Sequence, residues 1–316
     1  MAQLQEVDTC KVKKKRKILT ELHANRYLYL LMLPGIVLFL IFCYYPMYGI
    51  TLAFKEYNAA LGILRSPWVG LENFKSLFTD SYFWYVLFNT LKINFGRIIF
   101  EFPMPIILAI LFSELRGKKR KKLLQTVYTF PHFISWVILS GIVINFLDYS
   151  GPLNAMLDSL GFERQAFLGK ENAFVPIIYI SSIWKDAGYS SIIYLAAITG
   201  IDHGLYEAAS LDGANRIQRI WHITLPCIRG TILMLLTLYA GRILNDGFDQ
   251  IMNLSNPVVQ TAGDILDTYI YRITFITGTD FAFSTAAGLF KSVVNVTILL
   301  FVDRVSKRLE GVGILS

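Results

Sequence analysis

Between Tyr27 and Val302 the chain carries six predominantly apolar runs: Tyr27 to Tyr48, Val86 to Ser113, Leu123 to Leu147, Asn172 to Ile201, Cys227 to Met252 and Phe281 to Val302. Each approaches the roughly 20 helical residues needed to cross a bilayer. With 54% hydrophobic and 17% charged residues, a 316-residue chain is also too apolar for a water-soluble fold of that length. The expected fold class is therefore an all-α polytopic membrane protein with six transmembrane helices. No short apolar core with a small-residue cleavage site precedes residue 25, so the first run is expected to stay as an anchor.

An even number of spans puts both termini on one side, and the Lys and Arg residues beside the spans indicate which side. One set of flanks holds Lys11, Lys13 to Lys17 and Arg26, then Arg116 and Lys118 to Lys122, then Arg216, Arg219 and Arg229, and finally Arg304, Lys307 and Arg308. The opposite set holds only Lys55, Arg65, Lys75, Arg164, Lys170 and Arg272. The rich set is expected in the cytosol. The same rule accounts for a net charge of +7, which leaves nucleic acid a weaker reading of the Lys11-to-Lys17 run. The expected division is a basic cytosolic segment over 1–26, a transmembrane domain over 27–305 and a short cytosolic tail over 306–316.

Outer loops at 55–82, 148–171 and 253–280 are punctuated by Gly, Pro and Asn, and short amphipathic helices are expected around Leu71 to Phe78 and Leu153 to Leu160. None of these loops is large enough to be a separate domain. Cys10, Cys43 and Cys227 stand far apart, supporting neither a disulfide framework nor a zinc site.

Ionisable groups at membrane depth are costly and usually face a bundle interior or a wet cavity. Lys185 and Asp186 in the fourth run, with Arg242, Asn245 and Asp246 in the fifth, are candidates for a polar path. Trp136, Trp184, Tyr189 and Phe248 lie at comparable depth, and flat aromatic faces beside hydrogen-bonding groups suit a sugar. The alternative is that the charges pair between helices or snorkel, and that the aromatics pack or form an interface belt. Pro34, Pro46, Pro103, Pro105, Pro131 and Pro176 can kink their spans, for motion or for packing alone.

Catalytic signatures are missing. The chain has no Gly-x-x-x-x-Gly-Lys-Ser/Thr phosphate loop, no His-Glu-x-x-His and no Gly-x-Ser-x-Gly, and its four histidines are scattered. His132 reads as a packing or capping group. No cofactor or metal is expected on this chain.

The stretch from Glu207 to Pro226 is a polar insertion between apolar runs. Residues from about His203 to Leu211 can form a short helix around Glu207, Ala208 and Ala209; Asp212-Gly213 is turn chemistry; and Ala214 to Thr224 can form a second helix, ended by Pro226. Small residues at 208, 209, 213 and 214 allow close approach to the backbone. The alternative is an amphipathic loop lying on the membrane surface.

The spacing Glu207-Ala208-Ala209-x-x-x-Gly213-x9-Ile223-x-Leu225-Pro226 resembles the EAA loop of the permease subunits of bacterial ABC importers. Leu33-Pro34-Gly35, Tyr45-Pro46-Met47-Tyr48-Gly49, Trp68-Val69-Gly70-Leu71-Glu72-Asn73-Phe74, Pro131-His132-Phe133-Ile134-Ser135-Trp136, Phe248-Asp249-Gln250-Ile251 and Asp264-Ile265-Leu266-Asp267-Thr268-Tyr269 resemble carbohydrate permeases, in particular the LplB-like subgroup. The similarity spans about residues 27 to 308.

That resemblance implies the type I importer permease fold in a bacterial cytoplasmic membrane, with a cytosolic coupling loop at 202–226 between the fourth and fifth spans. It implies a second, homologous permease subunit, two ATPase subunits using ATP and Mg, an extracytoplasmic binding protein or lipoprotein, and an oligosaccharide as substrate. Glu207, Ala208, Ala209, Gly213, Ile223, Leu225 and Pro226 would meet the ATPases. From another class, an ion-coupled secondary transporter would use Lys185, Asp186, Arg242 and Asp246 as a relay. A polytopic membrane enzyme is disfavoured by the absent motifs.

Overall fold

The computed structural model describes residues 24–278 and 280–310. Most of the basic N-terminal segment, including Cys10 and the Lys11-to-Lys17 run, and the tail beyond residue 310 lie outside the described residues. Among the described residues there is no strand, only an isolated antiparallel bridge between Lys55 and Trp68.

Four helical stretches are long and apolar enough to cross a membrane: Arg26–Phe54, Ser81–Glu114, Trp136–Ser159 and Phe281–Arg308. The pair Arg216–Cys227 and Arg229–Ala240, bent by 60°, makes a fifth if it is counted as one span. The helix Glu171–Thr199 has 29 residues, about 43 Å at 1.5 Å per residue. It is less apolar than the others because Ser181, Ser182, Lys185 and Asp186 occupy its middle.

Two expected spans are broken, each for a local reason. The uncharged run from Leu123 to Leu147 divides into Lys118–Thr129, a tight turn Phe130–Phe133 and Trp136–Leu147. Pro131 cannot donate to a continuing helix, and Ser135 restarts one by accepting from the Ile138 amide at 3.4 Å. The run from Cys227 to Met252 is helical over Arg229–Ala240, unwinds over 241–247 and resumes at Phe248–Leu254. Gly247, at φ +94°, adopts a conformation that side chains oppose. Glu72–Thr79, and Pro152–Ser159 at the end of the Trp136–Ser159 stretch, are helices close to the positions expected.

Without water between helices, association relies on close packing, which small residues permit. Ala282, Ala286 and Ala287 are buried on the last helix, Ala109 in Pro103–Glu114, and Ala187 and Gly188 in Glu171–Thr199. A Cβ on Gly188 would lie 2.0 Å from the Tyr128 carbonyl oxygen, so the long helix touches the Lys118–Thr129 backbone there. By contrast, Arg26–Phe39 has no buried residue.

Several charged groups are paired between elements. Buried Asp264 accepts from Tyr82 Oη at 2.6 Å and Thr268 Oγ1 at 2.6 Å and is bridged to Arg272, while Lys291 of the last helix is bridged to Asp267. Burial and a hydrogen bond to Asp80 push the Tyr269 phenol above its ordinary range. These contacts fasten Leu266–Arg272 to the second and last spans.

Candidate functional site

Unsatisfied backbone is tolerated at membrane depth only where protein buries it or a wet cavity borders it. The unwound segment 241–247 meets that condition, because it borders a cavity of about 700 Å³. Its other walls come from Arg97 to Pro105 of the second span, His132 and Trp136 at the broken third run, and one face of Glu171–Thr199 from Ser182 to Tyr194.

The wall is held by a network centred on Arg97, which is 2% exposed. Arg97 Nη2 donates to Gln250 Oε1 at 2.6 Å, and Nη1 lies 3.4 Å from Glu101 Oε2 and 3.8 Å from Asp246 Oδ2. Ser182 Oγ donates to Glu101 at 2.8 Å, Tyr239 Oη donates to Asp246 at 3.2 Å, and Gln250 Nε2 donates to the Ile178 carbonyl at 2.7 Å. The network thus ties the second span, the long helix and both sides of the unwound segment. Arg97 Nε and Glu101 Oε1 are left buried without a partner. Gly247 brings the backbone close to this network, since a Cβ there would lie 2.7 Å from Arg97 Nη2.

A second cluster faces the same space. His132 and Tyr189 stack with centroids 3.9 Å apart and planes within 4°, and His132 Nδ1 is 2.7 Å from Asp186 Oδ1. Lys185 is turned away from the cavity: its ammonium donates to the His132 and Ile134 carbonyls at 2.7 and 2.6 Å, satisfying acceptors freed where the third run breaks. Among the described residues no group of His, Cys, Asp and Glu side chains could hold a metal ion.

Of the residues expected to form a polar path, the structure gathers Trp136, Asp186, Tyr189, Arg242, Asn245, Asp246 and Phe248 around this cavity. Trp184 is not among them and is 48% exposed on the outside of the chain. Sequence reasoning passed over Arg97, Glu101, Gln250 and Asp249 as path residues and read His132 as packing. The Arg97 and Glu101 spacing, one helical turn apart, was the available signal.

The polar insertion folds as a helix pair. His203–Leu211 is capped by Asp202, which accepts from the Gly204 amide at 2.9 Å, and the chain reverses at Gly213 with φ +77°. The second helix starts at Arg216, two residues later than expected, because Asn215 and Gln218 form a capping box. Pro226 does not end it. The chain widens into a π-helical stretch, Ile220–Thr224, and Pro226 sits in the first turn of Leu225–Cys227, where a missing N–H is harmless. Tyr206 Oη and buried Thr224 Oγ1, 2.9 Å apart, tie the two arms. Glu207 and Ala208 are exposed, while Ala209, Gly213 and Ile223 line a recess of about 340 Å³ between the arms.

A family model described as "Binding-protein-dependent transport system inner membrane component" matches residues 101–311. The chain is 42% identical over 294 residues to protein LplB of Bacillus subtilis (strain 168), covering 93% of this chain and 92% of that protein. It is also 42% identical to the polygalacturonan/rhamnogalacturonan transport system permease protein YteP of the same organism, over 96% of this chain and 95% of that one. Among solved structures, it resembles a chain of a bacterial ABC transporter involved in import of the acidic polysaccharide alginate. The TM-score there is 0.86 at 42% identity, covering 93% of this chain and 99% of that one. A structure of a bacterial alginate ABC transporter in complex with an alginate pentasaccharide-bound periplasmic protein matches with a TM-score of 0.85.

Proposed function

The chain belongs to the inner membrane components of binding-protein-dependent transport systems and is a sugar-importing ABC permease, and from that premise we propose that it forms one half of an oligosaccharide path. The observation that carries this reading is the 700 Å³ cavity, whose walls join aromatic faces to hydrogen-bonding groups at a break in the helices. A second, homologous permease subunit supplies the opposite half. An extracytoplasmic binding protein delivers the sugar.

Six spans with both termini in the cytosol follow from counting as spans Glu171–Thr199 and the run from Arg229–Ala240 through Phe248–Leu254, and the excess of Lys and Arg on one set of flanks supports that orientation. The helix pair at 202–226 is then cytosolic. Two ATPase subunits, carrying ATP and Mg, dock on it, and Glu207, Ala208, Ala209, Gly213, Ile223, Leu225 and Pro226 form the contact. ATP binding shifts the path between inward-open and outward-open populations, and hydrolysis resets it.

The test is ATP-driven uptake of labelled oligosaccharides in proteoliposomes containing this chain, its second permease, the ATPases and the binding protein. Omission of any one of them is expected to abolish uptake. Uptake by this chain alone under an ion gradient would instead establish a secondary transporter.

A further inference from the structure

We infer that the half of the path supplied by this chain favours uncharged oligosaccharides over polyuronates. The inference rests on the cavity being that path and concerns the charge its wall presents. Four carboxylates line it, Glu101, Asp186, Asp246 and Asp249, against two guanidinium groups, Arg97 and Arg242.

The cations are less available than that ratio suggests. Arg97 is 2% exposed and already engaged by Gln250, Glu101 and Asp246, so a substrate carboxylate could reach it only by displacing a buried network. Lys185, the other buried cation nearby, is held by the His132 and Ile134 carbonyls. Only Arg242 remains exposed.

The anions keep more of their surface free, although Asp186 also meets His132 and Asp246 also meets Arg97 and Tyr239. The Asp186 and Asp246 side chains are 39% and 41% exposed, and Asp249 is exposed on the first turn of Phe248–Leu254. Hydroxyl groups suit such a wall because they donate to carboxylates, whereas a uronate carboxylate only accepts. Each uronate unit would also bring a like charge within a Debye length of these carboxylates, where repulsion is incompletely screened. The stacked His132–Tyr189 pair provides an aromatic face that does not depend on substrate charge.

The experiment uses the complete importer with its own binding protein and a panel of neutral and uronate-containing tri- to pentasaccharides of matched length. Wild type is expected to import the neutral members at least tenfold faster. Asp249→Lys is expected to raise the uronate-to-neutral ratio at least fivefold and Asp249→Asn to raise it by less, while Asp249→Glu keeps the wild-type ratio. Faster uronate uptake by wild type, or a ratio unmoved by Asp249→Lys in an importer that still transports, would overturn the inference alone. No uptake of any member of the panel would overturn the oligosaccharide reading as well.

Discussion

Arg97 and Gln250, 153 positions apart in the chain, are joined by a 2.6 Å hydrogen bond inside the cavity wall, and Gly247 leaves the space that lets it form. A methyl group on Gly247 would meet Arg97 Nη2 at 2.7 Å and would also oppose φ +94°. Left-handed backbone costs a residue with a side chain about 1–2 kcal/mol. Gly247→Ala is therefore expected to cut sugar uptake by the assembled importer at least tenfold while the subunits still co-purify. Uptake within twofold of wild type would show that the network does not shape the path.

Removing the cation from a buried charge cluster leaves its anions unpaired, which costs about 3–5 kcal/mol, whereas removing both partners is often neutral. Arg97→Met is expected to lower the melting temperature of the detergent-solubilised complex, because Glu101 stays buried beside it. Adding Glu101→Leu is expected to restore most of the loss. Equal melting temperatures for wild type and the single variant would contradict the geometry.

At the helix pair formed by the polar insertion, Gly213 turns the chain at φ +77° and opens onto the recess between the arms. Gly213→Val adds bulk and strain there, and Glu207→Lys reverses an exposed charge. Both are expected to abolish sugar-stimulated ATP hydrolysis by the assembled importer, with the affinity of the binding protein for sugar unchanged. Wild-type stimulation in both variants would remove these residues from the contact.

Trp184 and Asp246 separate the cavity wall from the periphery. Asp246→Ala removes a wall carboxylate bonded to Tyr239 and is expected to reduce uptake at least tenfold, whereas Trp184→Ala, outside the cavity, should stay within twofold. Initial rates of uptake at saturating binding protein provide the comparison.

Local rules reached far in this chain. The helix His203–Leu211 ends where the Asp212-Gly213 turn chemistry places it, and Glu171–Thr199 lies within two residues of the expected run. What escaped them depends on distant partners. An uncharged run cannot reveal that it breaks at Pro131 to Ser135, because the break is made tolerable by Lys185, some fifty residues later, donating to the freed carbonyls. Arg97 and Glu101 likewise read as two charges in a span until Gln250, Ser182 and Asp246 are brought beside them. The unwinding at 241–247 is favoured by glycine, but only the cavity next to it explains why water-seeking backbone is left at that depth.

The bend at Ile228 makes Arg229–Ala240 a lever arm. One end is joined to the helix pair of the polar insertion across a 60° angle, and the other ends where the cavity wall unwinds. Twelve residues at 1.5 Å each give an arm of about 18 Å. A tilt of about 10° at the bend therefore carries the far end about 3 Å, roughly the length of one hydrogen bond. Small rotations of the helix pair would then suffice to exchange the partners of Asp246 with no refolding of the arm itself.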